Sequence, residues 1–205
     1  MVVGPWTGPL VARFAAGTTI TGARLRPGLA SCLRGMPASE LLNQSIPTAD
    51  ARGAARSIRL ENLIAQPNSA ARRSALAEAL CASVGDSSLD QAVLAGIRWL
   101  ARNPHGRLRL LSQWIGISER QLHRRFSAAI GYSPKTFQSV LRFRRLLKVA
   151  RATGEKRSLA DLASSVGYAD QAHMTREVRR LANLRPTTLL RSGESALQMS
   201  DLFKT

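Results

Sequence analysis

The sequence predicts a mainly α-helical protein: a seven-helix domain over residues 86–191, preceded by a small α+β segment over residues 1–85 and followed by a tail over 192–205. Three observations predict it. Beyond residue 85 the apolar residues recur at helical spacing and not in alternation. Serine-led helix starts alternate there with glycine and proline stops. A short pattern, a Leu followed four and five residues on by Ile or Val and then Gly, also recurs as a partial internal repeat.

The first 35 residues read as short strands and turns. Leu10–Phe14 and Thr18–Leu25 alternate loosely, and Gly17, Pro27-Gly28 and Gly35 punctuate them. So few residues cannot close a barrel, so at most part of a sheet is expected. Helical texture follows from Pro37, then over 50–65 and 69–83, where Ala70, Leu76, Leu80 and Val84 are spaced to share a face. Gly85-Asp86 ends this region and sets the expected domain boundary.

Past that boundary each helix has its own signals. Ser88 to Gln91 has capping-box spacing and opens a run with Leu89, Val93, Ile97 and Leu100, which Asn103-Pro104-His105-Gly106 stops. Leu108–Ile115 is a short helix, and Ser118 with Gln121 caps the next. Ser133-Pro134 puts proline at a first helical position, where its missing N–H costs nothing. That helix runs to Thr153 and ends at Gly154. Ser158 opens another that ends at Gly167, a further one spans Asp170 to Ala182, and Arg185-Pro186 precedes a short last helix.

Charge is concentrated in the same region. The chain carries 30 Lys and Arg against 13 Asp and Glu, a net +17. Residues 105–191 hold 18 of these basic residues and only five of the acidic ones, whereas the tail 192–205 is net −1. A clustered excess implies a polyanionic partner, because cations set against phosphates release condensed counterions.

The repeat sharpens this. Leu111-Ser112-Gln113-Trp114-Ile115-Gly116 aligns with Leu162-Ala163-Ser164-Ser165-Val166-Gly167, and each is followed by a capped helix rich in Arg. Leu122 and Phe126 in the first unit, and Met174 and Val178 in the second, form i, i+4 apolar pairs that anchor the second helix and leave its opposite side open. A short helix, a tight turn and an exposed second helix make a helix-turn-helix, whose second helix enters the major groove of DNA. The helix from 133 to 152 between the units is roughly 30 Å long at about 1.5 Å per residue. That is close to the roughly 34 Å of one duplex turn, so one chain can address two successive groove segments.

Residues 88–191, about half the chain, resemble the DNA-binding domain of the AraC/XylS family of bacterial transcription regulators. The likeness rests on Leu111-Ser112 leading to Gly116-Ile117-Ser118, then Leu122 to Phe126, Gly131-Tyr132-Ser133-Pro134 and Leu141 to Arg144 with Ala150. It continues through Ser158 to Ala163, Gly167 to Gln171, Met174-Thr175-Arg176 and Arg185-Pro186. Met174 and Val178 stand where the family usually has Phe, which predicts a less firmly packed second unit. Asn183 stands where it usually has Gly, and Asn tolerates the left-handed conformation needed there.

The resemblance implies base-reading positions at Arg120, His123 and Arg124 in the first unit, and at Gln171, His173 and Arg176 in the second. The chemistry suits them: Arg can grip guanine O6 and N7 together, and Gln can do the same to adenine N6 and N7. Arg125, Arg142, Arg144, Arg145, Arg179 and Arg180 are candidates for phosphate contacts, which position without reading sequence. The competing reading is that these side chains only solvate helix faces. The two capped units favour binding for Arg124 and Arg176, and leave any single Arg of the long helix evenly balanced.

Gly22–Gly28 and Leu33–Ala38 are similar to the end of a small-molecule-sensing, cupin-like domain found in some family members, which implies a shortened sensor remnant at the N-terminus. Expected partners are double-stranded DNA, RNA polymerase and, through the N-terminal region, an effector or a dimer partner. A degenerate regulator that keeps the fold but binds protein is the alternative.

Other classes find little support. His105, His123 and His173 match no zinc spacing, and no nucleophile–base motif is present, so neither metal, cofactor nor enzyme activity is expected. A DNA-repair methyltransferase carrying a related domain would need a reactive Cys with metal-ligand partners, which Cys32 and Cys81 lack. Those two are expected to be buried thiols in a reducing compartment, a disulfide being the lesser alternative. No secretion signal or membrane-length apolar run is read, so the expected location is cytoplasmic. Trp99 and Trp114 are expected in the core and His105 on the surface.

Overall fold

The computed structural model describes residues 1–30, 36–50, 65–83, 89–153 and 157–191. The helix expected over 50–65, Cys32, and the boundary at Gly85 lie outside the described residues, apart from the ends of the 50–65 range. By contacts the chain forms two compact units. The first comprises Met1–Trp6, Leu10–Leu94 and Arg124–Tyr132, and the second Thr7–Pro9, Ala95–His123 and Ser133–Thr205.

Sheet structure in the first unit is minimal. Val2–Val3 (β1) pairs antiparallel with Ser45–Ile46 (β2), Val2 lying opposite Ile46. The strands expected at Leu10–Phe14 and Thr18–Leu25 do not form, and among the described residues nothing builds a sensor barrel. The reason is burial. Val11, Phe14 and Ile20 remain exposed, so these stretches have neither a ladder partner nor a face to cover. The Pro37 start yields a single 3-10 turn, Ala38–Leu41. Ser69–Ser83 (α1) forms as expected, with the Ala71 N–H donating to Asn68 Oδ1 at 2.9 Å. Cys81 on this helix is exposed, which corrects the buried thiol expected there.

All seven helices expected over 86–191 are present: Gln91–Arg102 (α2), Leu108–Ile115 (α3), Glu119–Ile130 (α4), Pro134–Thr153 (α5), Leu159–Val166 (α6), Gln171–Ala182 (α7) and Pro186–Arg191 (α8). The cap of α2 is Asp90, whose carboxylate accepts the N–H groups of Ala92 and Val93 at 3.0 and 3.1 Å. Carboxylates cap strongly because they face the positive end of the helix dipole. Ser88, the cap expected from the sequence, is outside the described residues.

Within the second unit, α5 packs against α6 and α7, α6 against α7, and α7 against α8. Their shared core is Leu146, Leu147, Leu162, Ala163, Val166, Tyr168, Met174, Val178 and Leu189. Met174 and Val178 are 0% exposed, so both side chains are fully covered by this core. Burying such side chains is worth about 1.5–3 kcal/mol each. Among the described residues no helix is long and apolar enough to cross a membrane.

Candidate nucleic-acid interface

The two turns that set up the site are built alike. In the first, Gly116 takes the left-handed conformation (φ 77°), and the Gly116 and Ile117 N–H groups both donate to the Ser112 carbonyl at the end of α3. In the second, Gly167 does the same (φ 93°), and the Gly167 and Tyr168 N–H groups donate to the Ala163 carbonyl. Glycine adopts this backbone without Cβ strain, and the paired bonds satisfy carbonyls the helix end would otherwise leave open.

The helix that follows each turn is capped at once. Ser118 and Gln121 form the expected reciprocal box: the Gln121 N–H donates to Ser118 Oγ at 3.1 Å, and the Ser118 N–H donates to Gln121 Oε1 at 2.9 Å. On α7 the Asp170 carboxylate accepts the His173 N–H at 2.6 Å, and Asn183 closes the helix in the left-handed conformation. Each capped helix buries the i, i+4 pair expected for it. Leu122 and Phe126 are 1% and 0% exposed on α4, matching Met174 and Val178 on α7.

The opposite faces are cationic. On α4, Arg120 and Arg124 lie one turn apart across the helix from the buried pair, with His123 beside them, and all three are exposed. On α7, Arg176 occupies the equivalent outer position and is exposed, and His173 is half-buried at its flank. Gln171 is exposed at the first position of α7 but lies well round the helix from Arg176. The His173 ring is fixed. Its Nδ1 accepts the Ala169 N–H at 3.3 Å, and it meets the Tyr168 ring edge-on at 5.4 Å between centroids. In the neutral ring that bond puts the proton on Nε2.

The remaining basic residues divide. Arg145 and Arg179 are exposed and Arg144 is half-buried. Arg125 is half-exposed and makes a long ion pair with Asp90 at 3.5 Å, a contact worth little at such exposure. Arg180 is exposed and pairs with Glu177 at 3.3 Å. Arg142 departs from expectation. It is 7% exposed, and its guanidinium donates inward to Glu177 Oε2 at 3.0 Å, Ser139 Oγ at 3.2 Å and the Pro104 carbonyl at 3.3 Å. Its group is engaged within the protein and is not presented to a phosphate.

Glu177, Ser139 and Tyr168 were not predicted as functional residues. The one available signal was Glu177 itself, a lone acid among the cations of α7. Burial alone would raise its carboxyl, but hydrogen bonds from Ser139 and Arg142 and the charges of Arg142 and Arg180 outweigh that and hold it below the ordinary Glu value. A carboxyl lowered in the folded state adds stability above the ordinary Glu range, and that stability is lost as pH falls through the lowered value. The Tyr168 hydroxyl is pushed up, first by burial and then by the Glu177 charge, against the opposing charges of Arg142 and Arg180.

Trp114 corrects another expectation. It is 61% exposed, with Leu110 one turn before it also exposed, so Trp114 is not a core residue, while Trp99 is half-buried and His105 is exposed. Among the described residues no three His, Cys, Asp or Glu side chains gather to hold a metal ion.

These features define a two-unit helix-turn-helix domain. Residues 111–192 match the family model described as a helix-turn-helix domain, and the C-terminal region is of the AraC/XylS type. This domain supports a DNA-binding, transcription-regulating role. No curated protein and no solved structure matches the chain.

Proposed function

We propose that residues 86–191 form the DNA-binding domain of a sequence-specific transcription regulator, with α4 and α7 reading two successive major-groove segments of double-stranded DNA. The observation that carries the reading is the doubled arrangement: each turn-capped helix buries its expected apolar pair and turns Arg outward on the opposite side. The 20-residue α5 between them is roughly 30 Å long, near one duplex turn of roughly 34 Å.

In this reading Arg120, Arg124 and Arg176 are suited to guanine and Gln171 to adenine, with His123 and His173 as further edge contacts. Arg125, Arg144, Arg145, Arg179 and Arg180 serve phosphates, and Arg142 leaves that set because its guanidinium is buried. Residues 1–85 are the region for a partner or effector, and RNA polymerase is the expected downstream contact. The full burial of Met174 and Val178 supports a seated second helix-turn-helix, and a degenerate regulator that keeps the fold but binds protein is the alternative reading.

Arg124→Ala tests the reading. On a preferred duplex it is expected to cost about 1–3 kcal/mol of binding and to relax discrimination at one base position. A gel-shift titration on preferred and random duplexes measures both, and affinity should fall steeply as salt rises. An equal loss on random DNA would reassign Arg124 to phosphate contact.

A further inference from the structure

Arg142 of α5 touches two parts of the second helix-turn-helix, the turn and the middle of its recognition helix. Its Nη2 donates to the Glu177 carboxylate of α7 at 3.0 Å. Its guanidinium carbon lies 5.6 Å from the centre of the Tyr168 ring, in the turn that launches α7. Tyr168 in turn meets His173 edge-on, and Glu177 Oε1 accepts from Ser139 Oγ at 3.0 Å and from Arg180 Nη2 at 3.3 Å. One buried cation on α5 is thus tied to the turn and to the middle of α7. Through single intermediates it reaches a predicted base-reading residue, His173, and a predicted phosphate contact, Arg180.

Stability alone is a poor reason for such a group. The Arg142–Glu177 pair has side chains only 9% and 14% exposed, and desolvating two charges roughly cancels their attraction. Arg142 Nε and the Tyr168 hydroxyl are also buried without a hydrogen-bond partner, an added cost. An apolar core would hold α7 against α5 as tightly. What the ionic network adds is direction, because a planar fork reaching a carboxylate, a hydroxyl and a backbone carbonyl together admits one geometry where apolar contacts admit several. The core beneath α7 makes this matter, since Met174 is a flexible side chain that specifies orientation weakly.

We infer that Arg142 is a positioning residue: with Glu177 it sets the orientation of α7 on the linker helix, and thereby the placement of His173, Arg176 and Arg180 on DNA. The inference rests on the DNA-binding reading above and assigns Arg142 a role other than phosphate contact.

Arg142→Lys keeps the charge and loses the fork. Hydroxyl-radical footprinting of the full chain on a selected duplex gives the readout, with Arg176→Ala marking which protected segment belongs to α7. Wild type is expected to protect two segments. In Arg142→Lys, half-protection of the α7 segment should need about tenfold more protein, equivalent to about 1.4 kcal/mol, while the other segment shifts by less than about threefold. The double variant Arg142→Met with Glu177→Met leaves no unpaired buried charge. It should fold with near-wild-type helicity and show the same selective loss. A general stability defect would weaken both segments together, and that outcome, or no change in either segment with folded protein, would overturn the proposal. Wild type that protects no segment would instead sink the DNA-binding reading beneath it.

Discussion

Phe126→Ala is expected to lower the unfolding free energy by about 3–5 kcal/mol, the range for deleting a fully buried aromatic ring. Phe126 is 0% exposed and stands one turn beyond Leu122 on the inner side of α4. Its loss removes the larger member of the pair that leaves Arg120 and Arg124 outside. Urea unfolding followed by circular dichroism measures the change. Arg124→Ala, exposed on the same helix, should stay within about 0.5 kcal/mol of wild type in that assay. Equal effects from the two substitutions would mean that α4 is not seated by its apolar face.

Gly131→Ala is the second large effect, and Gly116→Ala is its control. Both glycines are left-handed, with φ 95° and 77°, so each Ala meets the same backbone strain of about 1–2 kcal/mol. Their surroundings differ. A Cβ on Gly116 meets open space, whereas one on Gly131 would run into the Pro5 ring and stand 2.8 Å from the Ala38 carbonyl oxygen. Backbone cannot give way as a flexible side chain does, so overpacking adds about 1–3 kcal/mol more. Gly131→Ala should therefore be the more destabilising by that margin in the same unfolding experiment. Matching losses would show that the N-terminal residues do not pack on Gly131.

Local chemistry explains what the sequence made legible. Ser118 with Gln121, Ser133 before Pro134, Ser158, Asp170 and the two turn glycines act within a few residues of themselves, so α3 to α8 could be placed from spacing alone. The same holds for the buried pairs, where one helical turn fixes the face. Long-range partners were not legible. Arg142 looked like any Arg of an exposed face because its acid lies 35 positions onward, on another helix. Trp114 was misplaced for a different reason. α3 carries two apolar stripes, Leu108, Leu111 and Ile115 on one side and Leu110 with Trp114 on the other, and periodicity cannot say which is covered. The strands expected at Leu10–Phe14 and Thr18–Leu25 failed because alternation marks a strand only where a partner edge and a covering layer exist.

Repeated selection from a random duplex pool bears most directly on DNA reading by the two Arg-bearing helices. The enriched sequences are expected to share two short conserved blocks whose centres lie about one duplex turn, roughly 10 base pairs, apart. Arg124→Ala should relax the base preference in one block and Arg176→Ala in the other. A pool that stays unenriched at low salt with folded protein would contradict sequence-specific binding. A single conserved block, unaffected by Arg176→Ala, would contradict the paired-groove arrangement.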